Sequence, residues 1–329
     1  MAKTNADGSK SLGRGDLLAI VIGNVIGGGV MTMTGLAIGI TGRSIILSYI
    51  ICAIMVTIVA LPQFFLSATI RMNGGFYTQA AMFGGKWFAG LYSVVFVSYF
   101  FGAATYSISF ADYVLSAFPE INGKLVAFAI LTVFVVLNLT GIQVAAKVQY
   151  AMVIILILAL LVFAGFGFIH LEPGYFSEEQ FFTGGFTGVM SAAALLSMAT
   201  SGTPHFIILT IYVLCSIIIL SGMNIGDVAN IGNTLANCVQ VILCLAIITM
   251  PKKIPEIWKH SQFHINDNAY TFLCILGALV SAAFVYYECL EIQVGHIIGI
   301  FVYLAIACIY PIIRAKFHKI EINISYEEA

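Results

Sequence analysis

Charged residues are scarce in this chain of 329 residues, since aspartate, glutamate, lysine and arginine together make up only 9% of it. A soluble domain carries about 25% of these residues, whereas 60% of this chain is hydrophobic. The composition therefore excludes a soluble globular domain and predicts a polytopic membrane protein, whose surroundings are the lipid bilayer. The net charge is -1 and no basic patch occurs, so no nucleic acid is predicted as a partner.

Side-chain clusters typical of metal sites and enzymes are also missing from the sequence. The seven cysteines lie in or beside apolar segments without a C-x-x-C pair, so neither a disulfide framework nor a zinc site is indicated. His260 and His264 have i,i+4 spacing but no third ligand nearby, and we interpret them as surface-loop residues. No H-E-x-x-H motif or nucleophile with a His–Asp set occurs. No cofactor and no enzyme activity are predicted, and a membrane enzyme remains only the weakest alternative.

What the chain does have is a series of continuous apolar runs, each close to the length of about 20 residues that a membrane span needs. The runs do not alternate, which excludes a closed barrel, and helices then satisfy the backbone in lipid. About ten spans are predicted between a polar tail, 1–15, and a second tail, 320–329. They cover residues 16–40, 43–70, 88–117, 124–142, 145–169, 186–201, 205–222, 225–250, 269–287 and 292–313.

The basic residues assign an orientation to these spans. With ten spans, 12 of the 14 lysines and arginines fall on one side, and only Arg43 and Lys124 fall on the other. The positive-inside rule makes the first side cytoplasmic, and the acidic loop 170–180 suits the outside. We therefore predict a multi-pass protein of the cell membrane with both termini in the cytoplasm. Reading 186–222 as one span would invert everything after it, so two short spans are favoured there.

Four ionisable side chains fall within or at the ends of the predicted spans: Asp112, Asp227, His205 and His296. An ionisable group inside a membrane is by default a candidate for function. The alternative is that each lies near a span end, within reach of water or lipid headgroups. The sequence leaves both interpretations open for all four residues.

Three consecutive glycines, Gly27 to Gly29, interrupt the first apolar run. Glycine lets a chain leave helical angles, and a break in a transmembrane helix is tolerated where it lines a cavity. The free amides of one half-helix suit a carboxylate, and the free carbonyls of the other half suit an ammonium group. Close helix packing through Gly23, Gly27 and Gly35 is the alternative.

A second candidate break would favour the binding interpretation, because transporters use paired broken helices. Residues 197–202, Ser-Met-Ala-Thr-Ser-Gly, are rich in small side chains and end the sixth apolar run. Spans one and six are the corresponding elements of a five-plus-five inverted repeat. The two segments together predict a binding site made largely of backbone groups.

Four motifs in order resemble the amino acid–polyamine–organocation transporter superfamily over residues 14–202. Residues 23–30 resemble its G-x-x-I-G-x-G-I motif with one conservative change. Residues 71–77, Arg-Met-Asn-Gly-Gly-Phe-Tyr, resemble its P-x-G-G-x-Y stretch but lack the proline. Residues 141–149 resemble its entry to span five through Gly141 and Lys-Val-Gln, and residues 197–202 resemble its S-F-A-T-G-G signature.

The resemblance implies a secondary carrier of amino acids that works by alternating access. It implies that the amides of Gly27, Gly28 and Gly29 hold the substrate carboxylate. Carbonyl groups near Val25 and Ile26, and near the segment Ser197, Met198 and Ala199, would hold the ammonium group. No acidic residue accompanies these positions, so a neutral amino acid is predicted, with Met198 and Ala199 shaping an apolar pocket.

The chain departs from the family after the sixth run, because Gly202 leads directly into Thr-Pro-His-Phe, which resembles the entrance to the family's ninth span. The resemblance then implies an all-α five-plus-five fold in which part of span six and spans seven and eight are missing. The first repeat would cover about 16–170 and an incomplete second repeat about 186–313. The family's coupling lysine in span five is also missing, since Lys147 lies at the span's edge. The coupling ion is thus unassigned (a proton or none), and a non-transporting, internally deleted remnant or scaffold is the alternative function.

Overall fold

The computed structural model describes residues 22–23, 28–72, 75–97, 100–139, 142–170, 177, 181–200, 208–317 and 326–328. Long helices dominate these residues, since the apolar runs leave backbone groups no other way to pair. In chain order the long helices are α1 Gly28–Thr41, α2 Ile45–Thr69, α3 Gly85–Phe96, α4 Phe100–Ala117, α5 Gly123–Leu139, α6 Ile142–Ile169, α7 Gly185–Thr200, α8 Ile208–Ser221, α9 Ile225–Ile247, α10 Asp267–Leu290 and α11 Val294–Phe317.

Within the described residues, each predicted span overlaps one of these helices or, for 88–117, two of them, α3 and α4. Six helical stretches of the described chain are long and apolar enough to cross a membrane, and three shorter apolar helices accompany them. The prediction of an α-helical polytopic membrane protein is confirmed. The five-plus-five repeat stays a prediction, as do the tails and repeat boundaries, and residues 1–21 and 201–207 lie outside the described residues.

The chain divides into two compact units, each assembled from separate stretches of sequence. The first unit comprises Met1–Ser48, Ala103–Ala192 and Leu196–Ile225, and the second comprises Tyr49–Gly102, Ala193–Leu195 and Gly226–Ala329. Helix α7 thus contributes to both, with only Ala193–Leu195 assigned to the second unit.

In the first unit, hydroxyl groups and small residues connect the helices. The Thr32 hydroxyl of α1 hydrogen-bonds the Ser109 hydroxyl of α4. The Ser48 hydroxyl donates to the Val189 carbonyl of α7 at 3.0 Å. A Cβ added at Gly188 of α7 would lie 3.1 Å from the carbonyl oxygen of Ile40. These contacts join α1 to α4 and bring α7 close to the end of α1.

In the second unit, α3 packs directly against α11. A Cβ added at Gly90 would lie 2.7 Å from Cβ of Pro311, and the Tyr303 hydroxyl donates to the Val94 carbonyl. A separate apolar cluster surrounds Trp258, which is 1% exposed. Its indole N–H donates to the Asp267 carboxylate at 2.8 Å, which fixes the start of α10 to the short helix Pro255–Lys259 before it.

Shorter elements complete the second unit. The segment Gly75–Gln79 is helical and continues as a π-helix, Ala80–Gly84. Gly75 has φ 59°, a left-handed conformation that favours glycine. The Lys253 ammonium group donates to the carbonyl groups of the π-helix at Met82 and Phe83, at 2.7 and 3.0 Å.

One small sheet accompanies the helices. Strand β1, Ile70–Met72, pairs antiparallel with strand β2, Tyr326–Glu328, and Ile70 lies opposite Glu328. The all-α prediction did not include this pair, because its two strands are far apart in the sequence and each is only three residues long. The last residues of the predicted C-terminal tail are thereby joined to the stretch that follows α2.

Candidate functional site

The first predicted half-site lies at the start of α1. Gly28 and Gly29 are the first two residues of this helix, whereas Val25, Ile26 and Gly27 lie outside the described residues. The predicted helix break at Gly27 to Gly29 therefore stays a prediction.

The packing alternative can be examined at two of the three glycines named for it. A Cβ added at Gly23 would collide with Nε2 of Gln149 in α6, so this glycine lies directly against α6, as the packing alternative expects. Gln149 is itself part of the stretch 141–149, so two of the motifs that carried the resemblance are in contact. Gly35 has no atom within 4 Å of an added Cβ, so close packing does not explain that glycine.

The second predicted half-site lies in the last described turn of α7. Ser197, Met198 and Ala199 are helical there, and Ser197 is buried. Since 201–207 lie outside the described residues, the predicted break after Thr200 stays a prediction, and so does the meeting of the two half-sites.

Helix α9 carries a row of polar side chains that the sequence analysis did not single out. Asn230, Asn233, Thr234 and Asn237 recur every three or four residues and therefore lie along one side of the helix. All four are buried. We call them, together with the half-buried Gln240, the polar stripe. Buried polar groups in a membrane helix are rare and are associated with function.

Most of the polar stripe finds partners on neighbouring helices of the same unit. The Asn233 amide donates to the carbonyl groups of Ala194 and Leu195 in α7, at 3.2 and 2.8 Å. The Gln63 amide of α2 donates to the Gln240 side-chain oxygen at 2.7 Å. These bonds satisfy polar groups that would otherwise be costly to bury. The stripe therefore fixes α9 against both α7 and α2.

The last partner of the stripe is a carboxyl group. Glu288 of α10 is 1% exposed, and its Oε1 accepts a hydrogen bond from the Asn237 amide at 2.9 Å. Its other oxygen, Oε2, is buried and has no hydrogen-bond partner among the described residues. Sequence analysis missed Glu288 because the predicted span ended at 287. The buried positions Cys274, Ser281 and Glu288 on α10 repeat every seven residues and could have indicated one inward face.

Three of the four ionisable residues singled out from the sequence lie on different helices of the described chain. Asp112 of α4 is exposed, and Asp227 lies half-buried in the first turn of α9. His296 lies in the first turn of α11, with its Nδ1 buried and without a hydrogen-bond partner in the described chain. His205 is outside the described residues. Asp227 and His296 thus occupy helix ends, as the alternative interpretation expected.

Metal-binding geometry is not found in the parts of the chain that the structure describes, where no group of three or more His, Cys, Asp or Glu side chains could hold an ion. The Nδ1 atom of His260 lies 2.8 Å from the Glu256 carbonyl oxygen. The His264 ring packs edge-on against Trp258, with 4.9 Å between ring centroids. Each histidine therefore has a local partner.

The long apolar helices, one of which carries a buried polar stripe, define a predominantly α-helical membrane protein. Comparison with known families gives its membership: the model of the amino acid permease family (AA_permease_2) matches residues 12–203. This match covers more than half of the chain, and the chain belongs to this family. The resemblance that the motifs indicated over residues 14–202 is confirmed.

Two relatives from Bacillus subtilis (strain 168) are similar to this chain. The branched-chain amino acid permease BcaP is 26% identical over 214 residues, which cover 59% of this chain and 46% of the relative. The probable threonine/serine transporter YbxG is 23% identical over 261 residues, which cover 74% of this chain and 52% of the relative. The chain thus spans about half the length of the curated relatives it matches.

Proposed function

We propose that this protein binds amino acids and carries them across the cell membrane as a secondary transporter that works by alternating access. The observation that carries the proposal is the family match over residues 12–203, because this range contains both predicted half-sites. The names of the two relatives, an amino acid permease and an amino acid transporter, support the same function. The proposal makes the protein a carrier rather than an enzyme, with both termini in the cytoplasm.

Backbone groups are proposed to recognise the common part of the substrate. The amides of Gly27, Gly28 and Gly29 would hold its carboxylate, since free amides at a helix N-terminus attract negative charge. Carbonyl groups of Val25, Ile26 and the segment 197–199 would hold its ammonium group. This arrangement requires access to the backbone, which glycine provides because it has no side chain.

A neutral amino acid is the proposed substrate class. Helices α1 and α7 contain no charged residue, so a charged substrate side chain would lack an ionic partner beside either half-site. The relatives' names refer to branched-chain amino acids and to threonine and serine, all of which are neutral.

Binding can be tested by ligand-dependent thermal stabilisation of the purified protein. A ligand that binds only the folded state raises the unfolding temperature as its concentration exceeds its dissociation constant. We expect L-isoleucine or L-threonine to raise it. The matching amine without a carboxylate and the matching acid without an ammonium group should have little effect.

Gly28→Val and Gly35→Val form a matched pair on the same helix. A side chain at position 28 would cover the proposed backbone site, whereas position 35 has open space around an added Cβ. We expect Gly28→Val to abolish the stabilisation by L-isoleucine and Gly35→Val to keep it. Loss in both variants, or no stabilisation of the unmodified protein by any neutral amino acid, would contradict the proposed site and favour the non-transporting remnant or scaffold.

A further inference from the structure

The Glu288 carboxyl group is buried within the protein, on a helix that could span the membrane, where carboxyl groups are rare. It lies in α10, a helix long and apolar enough to span the bilayer, and it is fully shielded by protein. One oxygen accepts from Asn237 and the other has no hydrogen-bond partner within the described residues. A buried ionised carboxylate needs compensation by charge or by several donors, and a single amide provides little of it.

The surroundings of the carboxyl group contain no positive charge among the described residues. The titratable side chains that interact with it are the thiols of Cys238 on α9 and Cys289 on α10. The Thr234 hydroxyl also faces it but donates to the Asn230 carbonyl at 2.8 Å. Among the residues that the structure describes, no lysine, arginine or histidine neutralises the carboxylate. A proton on Oε2 would neutralise it.

We propose that Glu288 is the binding site of a coupling proton. The proton binds to Oε2, while the Asn237 amide donates a hydrogen bond to Oε1. The proton adds to the carboxylate to give a neutral carboxylic acid and leaves when the site opens to water. This inference rests on the proposed transport function and identifies the ion that would drive it.

A proton fits this site better than a metal cation. Hard cations take several oxygen ligands at once, whereas Glu288 offers one free oxygen. Ser281 is the nearest other position on the same helix face whose buried oxygen lacks a partner among the described residues. It lies seven residues away, which corresponds to about 10 Å along the helix. The two oxygens are therefore too far apart to bind one ion.

The position of Glu288 suits loading from one side of the membrane. Gly277 of α10 lies against Cys244 of α9, and Glu288 lies against Asn237. The contact nearer the C-terminus of α10, at Glu288, is with the residue nearer the N-terminus of α9, Asn237. The two helices therefore run antiparallel. In the predicted orientation the C-terminal end of α10 faces the outside, and Glu288 would receive its proton from there.

Infrared spectroscopy tests the proton site without any transport. The purified full chain at neutral pH should show the C=O stretching band of a protonated carboxylic acid in the difference spectrum between the unmodified protein and Glu288→Gln. Glu291→Gln is the matched control, since Glu291 is exposed and lies three residues further on. A band that is equal in the unmodified protein and Glu288→Gln would overturn the proposal.

Transport in liposomes tests the coupling. A one-unit pH gradient, acidic outside, can drive at most about tenfold accumulation when one proton moves with each substrate. The measured quantity is the ratio of gradient-driven uptake to counterflow of L-isoleucine, because counterflow needs no net proton movement. We expect this ratio to fall to its gradient-free value in Glu288→Gln and to be unchanged in Glu291→Gln.

The outcomes separate this inference from the transport proposal. Counterflow without any response to the pH gradient, or with a response to a sodium gradient instead, would overturn proton coupling while leaving transport intact. Failure of counterflow in the unmodified protein would overturn transport itself. A Glu288→Gln protein that keeps the gradient response would also overturn the assignment to this residue.

Discussion

Helices α6 and α9 are both long enough to cross a bilayer, yet they meet opposite surroundings. In the most apolar part of residues 147–169, which lies in α6, 6% of the residues are buried. In the most apolar part of residues 225–253, which begins with α9, 61% of the residues are buried. Helix α6 is apolar on all sides from Met152 to Ile169, whereas α9 carries the polar stripe on its buried side. The apolar part of α6 is mostly exposed, whereas the polar stripe of α9 is mostly buried.

The difference follows from the solvent on each side. Lipid is as apolar as leucine, so an outward face gains nothing from burial and excludes polar groups. A polar side chain on a membrane helix must instead find a protein partner, as Asn233 and Asn237 do. In such a protein the polar residues, rather than the most hydrophobic ones, indicate which side of a helix packs against other helices.

The largest expected difference between the two helices comes from adding bulk. A Cβ at Gly232 of α9 would lie 2.7 Å from Cβ of Phe101, whereas Gly165 of α6 has nothing within 4 Å. We expect Gly232→Leu to lower the free energy of unfolding by about 2 kcal/mol, the usual result of overpacking. Unfolding of the purified variants in detergent measures the change.

Gly165→Leu is the control for this substitution, because both variants replace glycine by the same helix-forming residue. Its free energy of unfolding should stay near that of the unmodified protein. Equal destabilisation by the two substitutions would mean that α6 is packed as closely as α9, and the comparison would fail.

A smaller effect is expected from removing one polar group of the stripe. Asn233→Leu keeps the approximate shape of the side chain but removes both hydrogen bonds to α7. The acceptors are helical carbonyl groups, so the loss should be about 1 kcal/mol of unfolding free energy. The same unfolding measurement in detergent determines it.

Asn138→Leu provides the matched comparison. Asn138 of α5 is half-buried, and its amide donates to the Phe134 carbonyl of its own helix at 2.8 Å. This variant should be neutral or slightly more stable. If it costs as much as Asn233→Leu, the connections between α9 and α7 contribute nothing specific to the fold.

The sequence predicted the helices well because length and apolar composition are local properties. The predicted span 225–250 and helix Ile225–Ile247 nearly coincide. The partners of the polar stripe were not predictable in the same way. Glu288 and Asn237 are 51 residues apart, and nothing local to either residue indicates that they meet.

Small errors in helix ends mattered more than errors in helix number. The predicted span 269–287 ended three residues before the end of α10 at Leu290. Glu288 was therefore assigned to a loop, where a carboxylate is common and does not indicate a function. The glycine motif at residues 23–30, by contrast, could be interpreted from local sequence alone. Its residues could be matched to a family from local sequence, and the family match then included them.

The central claim is that this chain carries amino acids, and counterflow tests it most directly. Liposomes containing the purified protein are loaded with unlabelled L-isoleucine and placed in a trace of labelled L-isoleucine. The account predicts transient accumulation of label that unlabelled L-threonine or L-isoleucine outside suppresses and that Gly28→Val abolishes. No accumulation above protein-free liposomes, for any neutral amino acid, would contradict it.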